Sequence, residues 1–230
     1  MLLVEGPRVA RDAVDAGATV HEALYTGEAA GDPAVARVLE DLRRAGTELD
    51  EVSEAELNEL ADTVTPQGLL LVVGIPEASL AAVSPPRLAV LDAVQDPGNV
   101  GTLIRAADAL GAGGVAVLAG TADPWSPKVV RAAAGASFRL PIVRATAEEV
   151  AAWCRDRGVP LLAAAADGDP APRAAGARDA ALVFGNEGAG VSAGTLRLAD
   201  GVVAVPQRGP ADSLNVAMAG AILMDRFFGG

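Results

Sequence analysis

Three short segments hold residue types, at spacings, that could do chemistry: Asn99-Val100-Gly101 with Arg105, Gly185-Asn186-Glu187-Gly188, and Ser213-Leu214-Asn215-Val216. In the first, Asn99 falls at a helix N-cap position, where its side chain can satisfy a free backbone N–H. Arg105 lies less than two helical turns further on, and its guanidinium could clamp a phosphate by paired hydrogen bonds. In the second, glycines let the backbone approach a ligand closely, and Glu187 sets a carboxylate among them. Neither the Gly-Lys-Ser/Thr of a P-loop nor the dinucleotide glycine spacing is present. In the third, Ser213 is the expected N-cap of the last helix. Free N–H groups, the positive dipole end and two polar side chains there make an anion or amide site. Each segment alone reads equally well as a cap, a tight turn or a surface residue.

Other chemistries lack their residues. The one cysteine, Cys154, has no partner for an internal disulfide, and with His21 as the one histidine there is no zinc ligand set and no metal is expected. A Ser-His-Asp triad would depend on His21, which lies near none of the three segments. Half the chain is hydrophobic (51%), yet no uninterrupted apolar run reaches the roughly 18–20 residues that cross a bilayer. The opening Met1–Gly6 has no basic region and meets an acid too early for a signal peptide. A cytoplasmic protein without a membrane partner is expected.

Charge is unevenly spread. Up to Ser84 sixteen acids face five bases, a balance of −11, whereas the remainder stands at −1 of the total −12. The first third therefore does not attract nucleic acid by simple electrostatics, although arginines in a local cleft can still do so.

The elements that must position the three segments read as alternating strands and helices. Upstream, Val9–Gly17 is an expected helix and Ala18–Tyr25 a strand. Pro33–Ala45 is a helix with Val35, Val38, Leu39 and Leu42 on one face, and Glu48–Val52 a short strand. Ser53 with Glu56 forms a capping box for a helix over Ala55–Asp62, and Leu69–Val73 is a buried strand. A proline-bearing linker over 77–86 separates this small α/β unit (1–76) from a larger one (87–230). There, strands are expected at Leu88–Leu91, Val115–Leu118, Ile142–Val143, Leu161–Ala165, Ala180–Phe184 and Val202–Val205. Helices are expected from Val100 to Leu110 and over Lys128–Ala134, Glu148–Arg157 and Leu214–Phe228. The alternation favours a mostly parallel sheet with helices on both faces.

In this order and spacing, the three segments resemble the TrmH/SpoU family of RNA ribose 2′-O-methyltransferases, within the SPOUT group. Pro124–Arg131, with Gly135 and Pro141, is similar to the segment that family carries between its first two motifs. Val4-Glu5-Gly6 and Thr65–Gly68 resemble its ribosomal-protein-like substrate-binding domain. The resemblance implies an α/β fold whose C-terminal SPOUT domain forms a trefoil knot, a homodimer, and S-adenosylmethionine as methyl donor. It further implies an RNA partner, ribosomal RNA ahead of transfer RNA. By matching position, Leu118, Gly185, Asn186, Val205 and Leu214 would bind the cofactor. Asn99, Arg105, Glu187, Ser213 and Asn215 would form the polar active site, with Arg105 stabilising the developing alkoxide. Gln207 departs from the methionine common in the family, and a patch around Arg8 and Arg11 is the expected RNA contact of the first domain. A non-catalytic RNA-binding protein of the same fold and a transfer-RNA enzyme are the alternatives.

Overall fold

The computed structural model describes the whole chain except residues 62, 64, 171–178, 208, 210–212 and 230. Its first part contains β1 (Leu2–Glu5), α1 (Pro7–Asp15), β2 (Val20–Tyr25), α2 (Pro33–Ala45), β3 (Glu48–Glu51), α3 (Glu54–Leu60) and β4 (Leu69–Val73). The four strands line up as β1-β4-β2-β3, with β4 antiparallel to both neighbours and β2 parallel to β3. Asp32 caps α2 by accepting from the N–H groups of Ala34 and Val35, and Gly46 ends it in the left-handed region. Val35, Val38, Leu39 and Leu42 are buried on one face, as their spacing predicts. The expected capping box of Ser53 and Glu56 is formed on α3. The helix stops at Leu60, and its expected end at Asp62 lies outside the described residues.

The second part holds β5 (Leu88–Asp92), α4 (Pro97–Ala109), β6 (Gly114–Val117), α5 (Pro127–Ala133), α6 (Ala136–Arg139) and β7 (Ile142–Arg144). These are followed by α7 (Ala147–Arg157), β8 (Leu161–Asp169), β9 (Ala181–Gly185), α8 (Ala193–Leu198), β10 (Gly201–Val203) and α9 (Val216–Phe228). The strands form one parallel sheet in the order β10-β8-β9-β5-β6-β7. From β5 the chain builds outward to β7, then returns to β5's other side with β8 and β9. Strand order thus reverses between β5 and β9, and such a switch point opens a crevice beyond the strands' carboxyl ends.

Both faces of the sheet are covered, so β5, β6 and β9 are buried at every residue. Alternate residues serve two separate cores. Leu91, Val117 and Phe184 pack on the side of α4, α5 and α9, while Val90, Leu118 and Val183 pack on the side of α7. The short helices α6 and α8 carry too few periodic residues to have been expected from the sequence.

The proline-bearing segment is fastened down. Trp153 Nε1 donates to the Leu80 carbonyl at 2.9 Å, Arg157 donates to the Val83 carbonyl at 3.3 Å, and Val83 is fully buried. The two parts of the chain are also joined directly: Arg139 pairs with Asp108 of α4 and with Asp12 of α1. No helix among the described residues is long and apolar enough to cross a membrane.

Candidate functional site

At the switch point, Asp92 closing β5 stands opposite Gly185 closing β9. Only glycine fits at 185, because a Cβ there would fall inside the backbone of Gly190 and Val191. The loop that follows folds back on itself through paired Asn186–Gly190 backbone hydrogen bonds of 2.9 Å. Asn186 spends its whole side chain on this loop and its neighbour. Its Oδ1 accepts from Gly188 and Ala189, and its Nδ2 donates to the Ala93 carbonyl at 2.9 Å. Ala93 is held in the left-handed region (φ 57°), which is unfavourable for an L-residue and persists where surroundings enforce it.

That bracket fixes Glu187 against the turn between β5 and α4. Its carboxylate accepts from the backbone N–H of Gln95 (3.2 Å) and Asp96 (3.1 Å) and from Asn99 Nδ2 (2.9 Å). Partial burial pushes the Glu187 pKa up. The hydrogen bonds from Asn99 and from backbone N–H groups, its own included, outweigh that and hold the carboxyl below its usual range. A carboxylate held by three donors and titrating low is a poor proton acceptor and a firm anchor.

Asn99 continues the chain of contacts. Its Oδ1 accepts from Asn215 Nδ2 at 3.0 Å, while Asn215 Oδ1 accepts from Ala217 and Met218 to cap α9. One hydrogen-bonded line, Asn215 to Asn99 to Glu187, therefore joins all three segments across 116 positions of sequence. Two expected roles change. Asp96, not Asn99, caps α4, because Pro97 takes the first helical position and Asp96 Oδ1 reaches the Asn99 N–H at 2.9 Å. Asn215, not Ser213, caps α9, since the chain turns helical only at Val216. Asn99 thereby keeps its side chain for Glu187 and Asn215, and Ser213 is left exposed at the cavity.

Beside this line lies a cavity of about 500 Å³, within the range of small-molecule sites. Phe184, Val203, Val205 and Leu223 supply its apolar wall. Gly185 to Gly190, Gln207, Ser213, Leu214 and Asn215 supply backbone and polar groups. Of the five residues expected to bind a cofactor, Gly185, Asn186, Val205 and Leu214 line it. Leu118 does not: it is buried with Val90 and Val183 in the core on the α7 side. Among the polar residues, Asn99, Glu187, Ser213 and Asn215 converge here. Arg105 is exposed on α4 and lines no part of the cavity. Among the described residues it makes no hydrogen bond or ion pair.

Two contributors went unnoticed in the sequence. Buried Asp92 accepts from the Ser192 N–H at 2.9 Å and so ties the far end of the glycine loop to β5. Asp96 is the cap already described. The usable signals were an acid ending a fully apolar run and an acid directly before a proline. Cys154 takes no part: burial pushes its thiol up to about 12, so no nucleophilic thiolate exists at neutral pH.

These features define a doubly wound α/β protein with a ligand crevice at a topological switch point. The SpoU rRNA methylase family model matches residues 86–225, and a model described as RNA 2′-O ribose methyltransferase substrate binding matches residues 3–78. The chain belongs to the SpoU rRNA methylase family. It is 37% identical over 223 residues to the 23S rRNA (guanosine(2553)-2′-O)-methyltransferase RlmP of Bacillus subtilis, covering 96% of this chain and 86% of the relative. Its fold is similar to the SpoU methyltransferase AviRb of Streptomyces viridochromogenes in complex with AdoMet (TM-score 0.86, 31% identity, 98% of this chain and 88% of that one). It is also similar to an AdoMet-bound rRNA methyltransferase of Sinorhizobium meliloti (TM-score 0.85, 32% identity, 98% and 85%).

Proposed function

We propose that this chain is an S-adenosylmethionine-dependent methyltransferase acting on a ribose 2′-hydroxyl of ribosomal RNA. The observation that carries the reading is the line from Asn215 through Asn99 to Glu187, which assembles three distant segments at the rim of one cavity. The cavity fits the methyl donor in kind as well as size. Its apolar wall suits a nucleoside face, and the backbone groups of the glycine loop suit the base edge. When bound, the donor supplies an electrophilic methyl on a sulfonium.

Everything else falls to the chain's own groups. The 2′-hydroxyl must sit in line with that methyl, and such positioning supplies much of the rate gain. Glu187 and Asn99 fix the turn before α4 and, with it, the helix that presents Arg105. A guanidinium with a pKa above about 12 does not take a proton. Arg105 instead grips phosphate and stabilises the developing alkoxide, and the proton leaves through substrate phosphate or water. Ser213 and Asn215 hold the closing segment.

The same reading includes the family's trefoil knot in the C-terminal domain, a substrate-binding role for residues 1–76, a cytoplasmic setting and a homodimer. Dimerisation is supported by α9, which leaves Met218 and Ile222 exposed one turn apart, beside the site. Calorimetry with the donor, then transfer of labelled methyl to bulk ribosomal and transfer RNA, tests the activity. Protection of one nucleotide linkage from alkaline hydrolysis locates the methyl on ribose. Donor binding without transfer to either RNA overturns it.

A further inference from the structure

A chain of net charge −12 must still hold a polyanion, and a place where exposed, uncommitted cations lie along one crevice is where it can do so. In the first domain Arg11 is neutralised by Asp15 and Asp41, and Arg44 by Glu40 and Asp41. Arg11 is therefore not available as an RNA contact. Arg8, Lys128 and Arg105 are exposed, and each makes no hydrogen bond or ion pair among the described residues.

These three share one seam. Pro127 and Arg131 of α5 line a crevice with Glu5 and Val9 of the first domain, so Arg8 and Lys128, each adjacent in sequence to a lining residue, flank the domain junction. Helices α4 and α5 touch at Gly101, where a Cβ would fall inside Ala132. Lys128 precedes Ala132 by one helical turn, and Arg105 follows Gly101 by one turn. Both cations therefore flank the α4–α5 contact, on the face of the sheet that α4, α5 and α9 cover. Of the carboxylates along the seam, Asp12 and Asp108 are paired with Arg139, while Glu5, which lines the crevice, accepts from the Thr63 hydroxyl through one oxygen and keeps the other buried.

We propose that Arg8, Lys128 and Arg105 form a phosphate track that carries the backbone of the RNA substrate across the domain junction to the site. The proposal rests on the RNA methyltransferase reading and adds the path the substrate takes. The overall negative charge does not oppose it, because screening at physiological salt limits exposed charges to about 8 Å and leaves the local seam to decide. Phosphate contacts fix register without reading sequence, which suits residues that lead a strand toward a site reading one ribose.

The test measures binding of a 23S rRNA transcript against salt concentration for Arg8→Gln, Lys128→Gln and the double variant, with calorimetry of the methyl donor alongside. Each substitution should lower the slope of log affinity on log salt by about 0.7–0.9, the release expected per phosphate contact. In the transfer assay, KM for RNA should rise several-fold while kcat and donor affinity stay unchanged. Lys128→Arg should retain the wild-type slope. Arg37→Gln with Arg43→Gln on α2 removes the same charge away from the seam and should leave the slope unchanged. An unaltered slope in the double variant, or an equal loss in the α2 control, overturns the track. RNA binding and donor binding are read without methyl transfer, so a chain that binds RNA but transfers nothing sinks the activity and still tests the track.

Discussion

The two domains each carry a cavity of nearly equal size where strands end: about 480 Å³ in the first and about 500 Å³ in the second. Their walls differ in kind. Glu28, Asp32 and Glu54 line the first, which is therefore hostile to anions, and Asp32 is already occupied as the cap of α2. Glycine backbone and amide side chains line the second, and its one carboxylate among the described residues, Glu187, is tied back by three donors. Volume alone distinguishes nothing here. A site forms where polar groups are held by one another and still face the space.

The sharpest way to break this contrast is Gly185→Ala. The added methyl meets backbone on the glycine loop, so donor binding should fall by at least 100-fold, with a lower melting temperature. Gly188→Ala in the same loop meets only Asn186 Oδ1 at 3.7 Å and should be nearly silent. In the first domain, Gly68→Ala would force its Cβ into Ala29 at φ +71° and should lower stability without changing donor affinity. If Gly185→Ala bound the donor normally, the cavity would not be the site.

Next in size is Asn99→Ala, which cuts the line between segments on both sides. A hydrogen bond to a charged group is worth about 1.5–3 kcal/mol, so kcat should fall about 10–150-fold. Donor affinity should move far less. Equal losses in kcat and donor affinity would mean that Asn99 serves the cavity rather than the reacting end.

Acid supplies a third test. The Glu187 pKa is lowered in the folded protein, so its stabilising contribution is complete above the ordinary carboxylate value of about 4.3 and is lost as pH falls through the folded value. Donor binding by the wild type should thus weaken on acidification below that range. Glu187→Gln should flatten this part of the profile, measured as the difference from wild type. A parallel profile in the variant would remove Glu187 as the titrating group.

Arg139→Ala should act more weakly. Its side chain is 42% exposed, and such pairs contribute about 0.2–1 kcal/mol each, so losing both lowers Tm by about 1–8 °C for a chain of this size. Because it joins α1 to α4, KM for RNA should rise while donor affinity holds. The smallest effect belongs to Cys154: iodoacetamide at pH 8 should leave the native protein unlabelled and fully active, since the buried thiol is pushed up to about 12.

Much of this was legible in the chain. Runs such as Leu88–Leu91 and Ala180–Phe184 announce strands covered on both faces, and Ser53 with Glu56 announces a helix start that the structure forms. The three segments stand out because each interrupts an apolar run. What the sequence hid was choice among near neighbours. Asp96 and Asn99, like Ser213 and Asn215, are all competent caps, and only the backbone path selects one of each pair. It also hid facing: Leu118 sits one residue beyond a strand, yet the pleat turns it toward α7 and away from the cavity. Strand order β10-β8-β9-β5-β6-β7 rests on pairings between distant segments, which local periodicity does not encode.

The line from Asn215 to Glu187 also sets a sequence of events in time. Asn215 lies 116 positions after Asn99, so in a growing chain the line stays open until the start of α9 has been made and has docked. The contacts of β5, α4 and the glycine loop with one another do not need α9, but one wall of the cavity does.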